Sequence, residues 1–323
     1  MHQLSNQLLE WVRYMISYVN NNLFETPAHV LVNTVNTVGV MGKGIAKEFK
    51  NIYPDMFKEY QKLCEEKKIT IGKLWLYKTS NKWILNFPTK TTWRKPSKIE
   101  YIEAGLKTFV RAYAKLGITS VAFPPLGCGN GELNWKLQVR PLMEKYLKPL
   151  LIDIFIYIIL HPNVKPEHKN IELMKAWLRS EPETLSFIEV WDDLVEKIST
   201  GIILESLVSK TKFTVTIINY SNDKKIELVF ENYSRSIYYE DLCEFWNQLR
   251  SYGFSMKSIL PSSLEDVKEQ IFTIFSLLSY CKPVKVSPNY DKLDNIENIG
   301  LQFFPQELPP TIFNNISHEL IQI

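Results

Sequence analysis

Cysteine is the first scarcity. The 323 residues hold four, Cys64, Cys128, Cys243 and Cys281, spaced too widely to suggest a disulfide framework or a thiolate metal site. That distribution suits a reducing compartment, and a cytoplasmic location is expected. Long apolar runs are missing too. The longest, Leu150 to Leu160, contains Asp153 and is far short of a bilayer-spanning helix. The first residues show no basic stretch followed by an apolar core, so a secretory leader is not expected. There is no low-complexity tract and no internal repeat. Without a cluster of ligand residues at metal spacing, neither a metal nor a cofactor is expected.

What remains is a globular composition, 45% hydrophobic and 23% charged, on a chain long enough for two cores. Charge divides it sharply. Residues 1–160 carry 22 Lys and Arg against 12 Asp and Glu, a net +10, whereas residues 161–323 carry 16 against 23, a net −7. A basic first half suits a polyanionic ligand such as nucleic acid. An acidic second half suits plain solubility or a basic partner.

Periodicity supplies the elements. Leu4, Leu8, Trp11, Val12 and Met15 fall at helical spacing and predict a short leading helix. Strands are expected at Ile16–Val19, Val30–Val32, Leu74–Tyr77, Trp83–Phe87, Ser120–Phe123 and Leu151–Ile159. Helices are expected at Ile45–Tyr53, stopped by Pro54, at Met56–Lys67, at Ile99–Leu116, ended by Gly117, and at Val139–Tyr146. Strands alternating with helices indicate a three-layer α/β domain with a mixed sheet.

The stretch from Val30 to Phe49 organises this half. An apolar strand runs into Asn33, Thr34 and Asn36, then into a loop punctuated by Gly39, Gly42 and Gly44, and a helix begins at Ile45. Glycines let backbone N–H groups approach an anion, and a helix N-terminus adds partial positive charge. Pro124 to Trp135 repeats the arrangement with Gly127, Gly129 and Gly131. Two such loops can close on a diphosphate from two sides. A third loop, Phe87 to Ser97, brings Lys90 to the same end of the sheet.

VNTVNTVGVMGKGIA at 32–46, FPTK at 87–90 with the WRKPS and IEYIEAGL that follow, and GCGNGELNW at 127–135 together resemble the macrodomain family, which binds ADP-ribose. Within it they look like the branch holding the terminal ADP-ribose protein glycohydrolase and the bacterial DNA ADP-ribosyl glycohydrolase antitoxins (DarG of the DarT/DarG systems). The resemblance covers roughly residues 14–160. It implies a three-layer macrodomain at 15–160, an N-terminal extension or alternative start over 1–14, and a smaller acidic α+β domain at 161–323.

The resemblance also implies roles. Asn22 and Leu23 occupy the adenine-binding turn, where Asn22 stands in place of the family's usual aspartate. Asn33, Thr34 and Asn36 would line the distal ribose, offering amides to sugar hydroxyls. Met41, Gly42, Lys43, Gly44 and Ile45 would wrap the diphosphate, with Gly127, Cys128, Gly129, Asn130 and Gly131 opposite and Thr89 beside them. Cys128 reads as a small residue that fits rather than as a nucleophile, since no His/Asp arrangement adjoins it and the histidines lie elsewhere in the sequence. Lys90 matches the branch's catalytic lysine, which acts at the anomeric carbon of the distal ribose. To serve as base or nucleophile it needs local desolvation.

One departure separates the two members of the branch. The protein-directed one pairs its lysine with an aspartate where this chain has Gly131, and Glu132 is one residue out of register. The GCGNG form looks like the DNA-directed antitoxins. Trp93, Arg94 and Lys95 add an aromatic face and two cations suited to base stacking and phosphate contact. The bland alternative is a core tryptophan with flanking charges.

Pro162 to Glu167 reads as the boundary. Beyond it, helices are expected at Ile171–Leu178, Phe187–Ile198, Tyr239–Leu249 and Val267–Leu278. A hairpin of Phe213–Ile218 with Ile226–Phe230 is expected around Ser221-Asn222-Asp223, and Leu301 onward reads as irregular. No chemical motif stands out here. In the resembling antitoxins, the region after the macrodomain binds an ADP-ribosyltransferase toxin that modifies thymidine in single-stranded DNA. Three functions therefore stay open: a DNA ADP-ribosyl glycohydrolase antitoxin, a hydrolase of ADP-ribosylated protein or ADP-ribose phosphate, and a non-catalytic ADP-ribose reader.

Overall fold

The structure, a computed structural model, describes residues 16–158, 166–220, 223–257, 260–286 and 299–304. The leading helix expected over 4–15 lies outside these residues. Two compact units divide the chain, Met1–Ile171 and Glu172–Ile323.

The first unit is built on a six-stranded sheet. Its strands are β1 (Ile16–Val19), β2 (Val30–Val35), β3 (Trp75–Lys78), β4 (Trp83–Pro88), β5 (Ser120–Phe123) and β6 (Asp153–Tyr157), in the order β1-β6-β5-β2-β4-β3. Every neighbouring pair is parallel except β3 with β4, so the sheet is mixed. β2 lies in its centre and is apolar on both faces, as a buried parallel strand must be. Val30 and Val32 point to one side, where they join Ile102, Leu106 and Phe109 of α3 (Ile99–Ala112) and Met143 and Leu147 of α4 (Arg140–Leu147). Leu31 and Val35 point to the other, against Phe49 of α1 (Gly44–Ile52) and Met56, Phe57 and Tyr60 of α2 (Pro54–Glu65). Helices on both faces complete a three-layer α/β/α unit.

α3 approaches β4 unusually closely. A Cβ on Gly105 would stand 2.1 Å from the buried ring of Phe87, so only glycine permits this packing. The helix expected from Val139 instead opens with a wide π turn at Trp135–Val139, where the Asn134 side chain accepts from the Leu137 N–H at 2.9 Å.

The second unit holds α5 (Ile171–Ser180) and α6 (Phe187–Lys197), then an antiparallel meander of β7 (Ile202–Glu205), β8 (Lys212–Tyr220), β9 (Asp223–Val229) and β10 (Ser234–Tyr238). Tyr220 pairs with Asp223, as the hairpin signal predicts, though residues 221–222 themselves lie outside the described set. α7 (Tyr239–Tyr252) ends at left-handed Gly253, and β11 (Phe254–Ser255), α8 (Lys268–Phe275), β12 (Cys281–Lys285) and β13 (Ile299–Phe303) follow. The expectation of irregular chain from Leu301 is corrected over 301–303. β13 is the central strand of a three-stranded sheet and buries Leu301 completely. Pro283 sits on the edge strand β12, where its missing N–H does no harm.

Candidate functional site

Three adjacent parallel strands, β5, β2 and β4, release the three notable loops at their C-terminal ends, where open α/β sheets bind ligands. Backbone and side-chain bonds sew two of the loops together. The Thr89 N–H donates to the Val35 carbonyl at 2.8 Å, and the Thr37 hydroxyl to the Thr91 carbonyl at 2.8 Å. Lys90 is thereby fixed beside the first glycine loop.

That loop is shaped by Asn36. Its side-chain oxygen accepts from the Val38 and Val40 N–H groups at 3.0 and 3.3 Å, and its amide donates to the Val40 carbonyl at 2.6 Å. The Tyr60 hydroxyl donates to the Asn36 carbonyl at 2.7 Å, and the Gln61 amide to the Gly39 carbonyl at 3.1 Å. The Asn36 oxygen and one N–H of its amide are thus used in folding the loop, which leaves the second N–H as the group it could offer to a sugar hydroxyl. Tyr60 and Gln61, read from sequence only as helix positions, brace it from α2.

Asn33 is fully buried, and its amide donates to Asn86 Oδ1 at 2.9 Å across the β2–β4 register. Asn33 Oδ1 and Asn86 Nδ2 have no hydrogen-bond partner. Buried orphans of this kind call for a reason. Sequence reasoning missed Asn86; the period-2 register opposite Asn33 was the available signal. Met41 is buried, its sulfur 3.8 Å from the Asn33 amide. Thr34 and Ile45 are half-buried, and Thr89 is buried.

Lys43 precedes α1 and makes no side-chain capping hydrogen bond to it. Gly44 follows at φ +60°, and a Cβ there would lie 3.0 Å from the Asn130 amide of the second glycine loop. The two loops thus stand face to face.

In the second loop Gly127 is left-handed, at φ +68°. Gly131 is more constrained still. A Cβ there would fall 2.2 Å from Ser97 Oγ and 2.3 Å from the Gly127 carbonyl oxygen, while the Ser97 N–H donates to the Gly131 carbonyl at 3.0 Å. Gly129 has open space around it, and Asn130 Oδ1 is buried without a partner. Burial pushes the Cys128 thiol up to about 12, so it stays protonated and is no nucleophile at neutral pH.

Lys90 is 6% exposed, and its Nζ lies 3.3 Å from Oε2 of Glu167, itself 9% exposed. Glu167 opens a single 3₁₀ turn, Glu167–Lys169, which follows buried Pro166 and belongs to the first unit. The same turn reaches the second glycine loop. His168 Nε2 and Glu132 Oε2 are 2.7 Å apart, and Lys169 pairs with the other oxygen of Glu132. These two partners hold the Glu132 carboxyl below its ordinary range, Lys169 first. Sequence separation hid both contacts: a histidine remote in sequence is adjacent in space.

The remaining candidate residues lie on two segments. Trp93 is 0% exposed and offers no face for base stacking; the loop folds its ring inward to complete the core, and the Arg94 guanidinium lies 4.4 Å from the ring centroid. Lys95 is exposed. Leu23 is a core residue, and Asn22 caps the short turn after it by accepting from the Phe24 N–H at 3.1 Å. Among the described residues no helix is long and apolar enough to cross a membrane, and no group of three or more His, Cys, Asp or Glu could hold a metal ion.

Comparison with known proteins places this geometry. The Macro domain family matches residues 32–141. A DNA ADP-ribosyl glycohydrolase of Thermus aquaticus is 39% identical over 182 residues, which is 55% of this chain and 49% of that protein. One of Mycobacterium tuberculosis is 47% identical over 147 residues, 44% of this chain and 42% of its own. A DNA ADP-ribosyl transferase-DNA ADP-ribosyl glycohydrolase fusion protein of Thermosipho africanus is 39% identical over 168 residues, 46% of this chain and 43% of its own. The chain thus spans about half the length of these three relatives, or somewhat less.

Proposed function

Because residues 32–141 belong to the macro domain family, we propose that this protein is a glycohydrolase that removes ADP-ribose from thymidine in single-stranded DNA. The observation that carries the proposal is a single one: a nearly buried lysine in the loop after β4, alongside two glycine loops that leave the C-terminal ends of the neighbouring parallel strands β2 and β5. The loops take the diphosphate through backbone N–H groups and the start of α1. A sugar hydroxyl of the distal ribose satisfies the orphaned Asn33 oxygen. Lys90 then stands at the anomeric carbon. In the reaction the bond from that carbon to the base nitrogen breaks, a bond from the water oxygen replaces it, and the water proton ends on the leaving nitrogen.

A DNA carrier is favoured over a protein carrier by two features. Gly131 leaves no room for a side chain in the second loop, and Arg94 and Lys95 supply cations beside the lysine for backbone phosphates. Relatives at 39% and 47% identity are named DNA ADP-ribosyl glycohydrolases. Incubation with a thymidine-ADP-ribosylated oligonucleotide beside an ADP-ribosylated protein tests the choice. Release from the oligonucleotide alone is expected; release from the protein alone would refute it.

The acidic second half is proposed to bind an ADP-ribosyltransferase toxin. Its net charge of −7 suits a DNA-binding surface, and the Thermosipho africanus relative carries a transferase and a glycohydrolase in one chain. The full chain should co-purify with a cognate transferase at low salt and lose it as ionic strength rises. No retention at low salt would exclude this role.

A further inference from the structure

We propose that Glu167 is the positioning partner of Lys90, holding its amine at the ribose end of the site and taking up its proton. The inference rests on the glycohydrolase reading above and extends it to a residue outside the three loops.

The placement is the first argument. Glu167 comes from a turn 77 residues beyond Lys90, yet its carboxylate reaches the lysine at 3.3 Å where the loops converge. The turn is anchored at both ends of its reach. Pro166 is buried ahead of it, the Lys169 N–H closes it onto the Pro166 carbonyl at 3.0 Å, and His168 and Lys169 grip Glu132 of the second glycine loop. A carboxylate so held has little freedom to swing away from the lysine.

Energetics is the second. Two opposite charges buried together lose hydration that their attraction barely restores, so an apolar pair would serve a purely structural purpose as well. A buried pair at the ligand end of the sheet therefore points to chemistry. Burial pushes the Glu167 carboxyl up from its ordinary range; Lys90 draws it back, with Lys43 and His168 adding to that pull. A carboxylate in that setting is a competent proton acceptor. The step balances simply. One N–H bond of the Lys90 ammonium breaks, its electron pair stays on nitrogen, and an O–H bond forms on Oε2. Two ions become two neutral groups, and reversal restores them.

The isosteric variant E167Q keeps the volume and an acceptor oxygen but cannot take a proton. Its kcat on ADP-ribosylated oligonucleotide should fall about 100-fold, while KM and the affinity for free ADP-ribose stay within about twofold. Formate should partly restore E167A and leave K90A unaffected, a rescue that a scaffold role would not produce. E167Q turning over at the parent rate overturns the inference, as does a faster rate, which would make Glu167 a plug. Loss of ADP-ribose binding in E167Q would also overturn it, by reducing the pair to scaffold. These failures are distinct from failure of the functional reading, in which the parent protein itself releases no ADP-ribose from any carrier.

Discussion

Lys90→Ala should release essentially no ADP-ribose from a modified oligonucleotide while still binding free ADP-ribose. Removal of a positioned acid, base or nucleophile costs on the order of 10²–10⁴ in rate, and a lysine acting directly at the anomeric carbon belongs at the upper end. Binding should survive because the proposed diphosphate site lies elsewhere, on the backbone of the loops at 41–45 and 127–131. The variant carries a structural side effect that must be separated. Deleting one member of a buried ion pair costs about 3–5 kcal/mol when the other stays charged. Burial pushes the Glu167 carboxyl up, and loss of Lys90 removes a group that draws it back, so proton uptake by Glu167 offsets part of that penalty. Calorimetric titration with ADP-ribose together with a melting curve distinguishes a folded, inactive protein from an unfolded one. Full activity in the alanine variant would refute the mechanism.

Gly131→Asp should destabilise the first unit and disable ADP-ribose binding rather than add an acid beside the lysine. The Cβ alone would sit 2.3 Å from the Gly127 carbonyl oxygen, a backbone atom that cannot rotate aside, and 2.2 Å from Ser97 Oγ. Overpacking of this kind costs about 1–3 kcal/mol, and more where backbone must move. Ser97 cannot retreat freely either, since its N–H is bonded to the Gly131 carbonyl. Gly131→Ala serves as the control for size. Urea unfolding of both variants should show similar losses; an alanine variant as stable as the parent would mean that charge, not space, excludes the aspartate.

These expectations differ in where they were visible. Lys90 and both glycine loops could be read from the sequence because each is a contiguous motif: a strand that ends, a short loop, and a helix that begins. The α/β alternation was visible for the same local reason, and the hairpin of β8 with β9 followed from its turn residues. Element edges moved, by four residues at Trp135–Val139, where the side-chain cap of Asn134 sets the start of the helix.

Other features depend on contacts between residues far apart in the chain. Trp93 looked like a stacking platform beside two cations, but its ring is drawn wholly into the core, because burying so large an apolar surface outweighs any local pattern. Asn36 also shapes the loop that carries it, through its oxygen and one amide N–H, a role no local pattern announced. β13 alternates Ile299, Leu301 and Phe303, a signal obscured by the prolines that follow it, and it lies between β11 and β12.

What the amino-acid sequence determined by itself was the chemistry on offer: two glycine loops after strands, one lysine, and a basic half beside an acidic one. What only the tertiary structure decided was which groups face that lysine. Periodicity carries information over one or two turns of chain, whereas Glu167 and Lys90 meet across 77 residues, through sheet order and a turn anchored on Glu132.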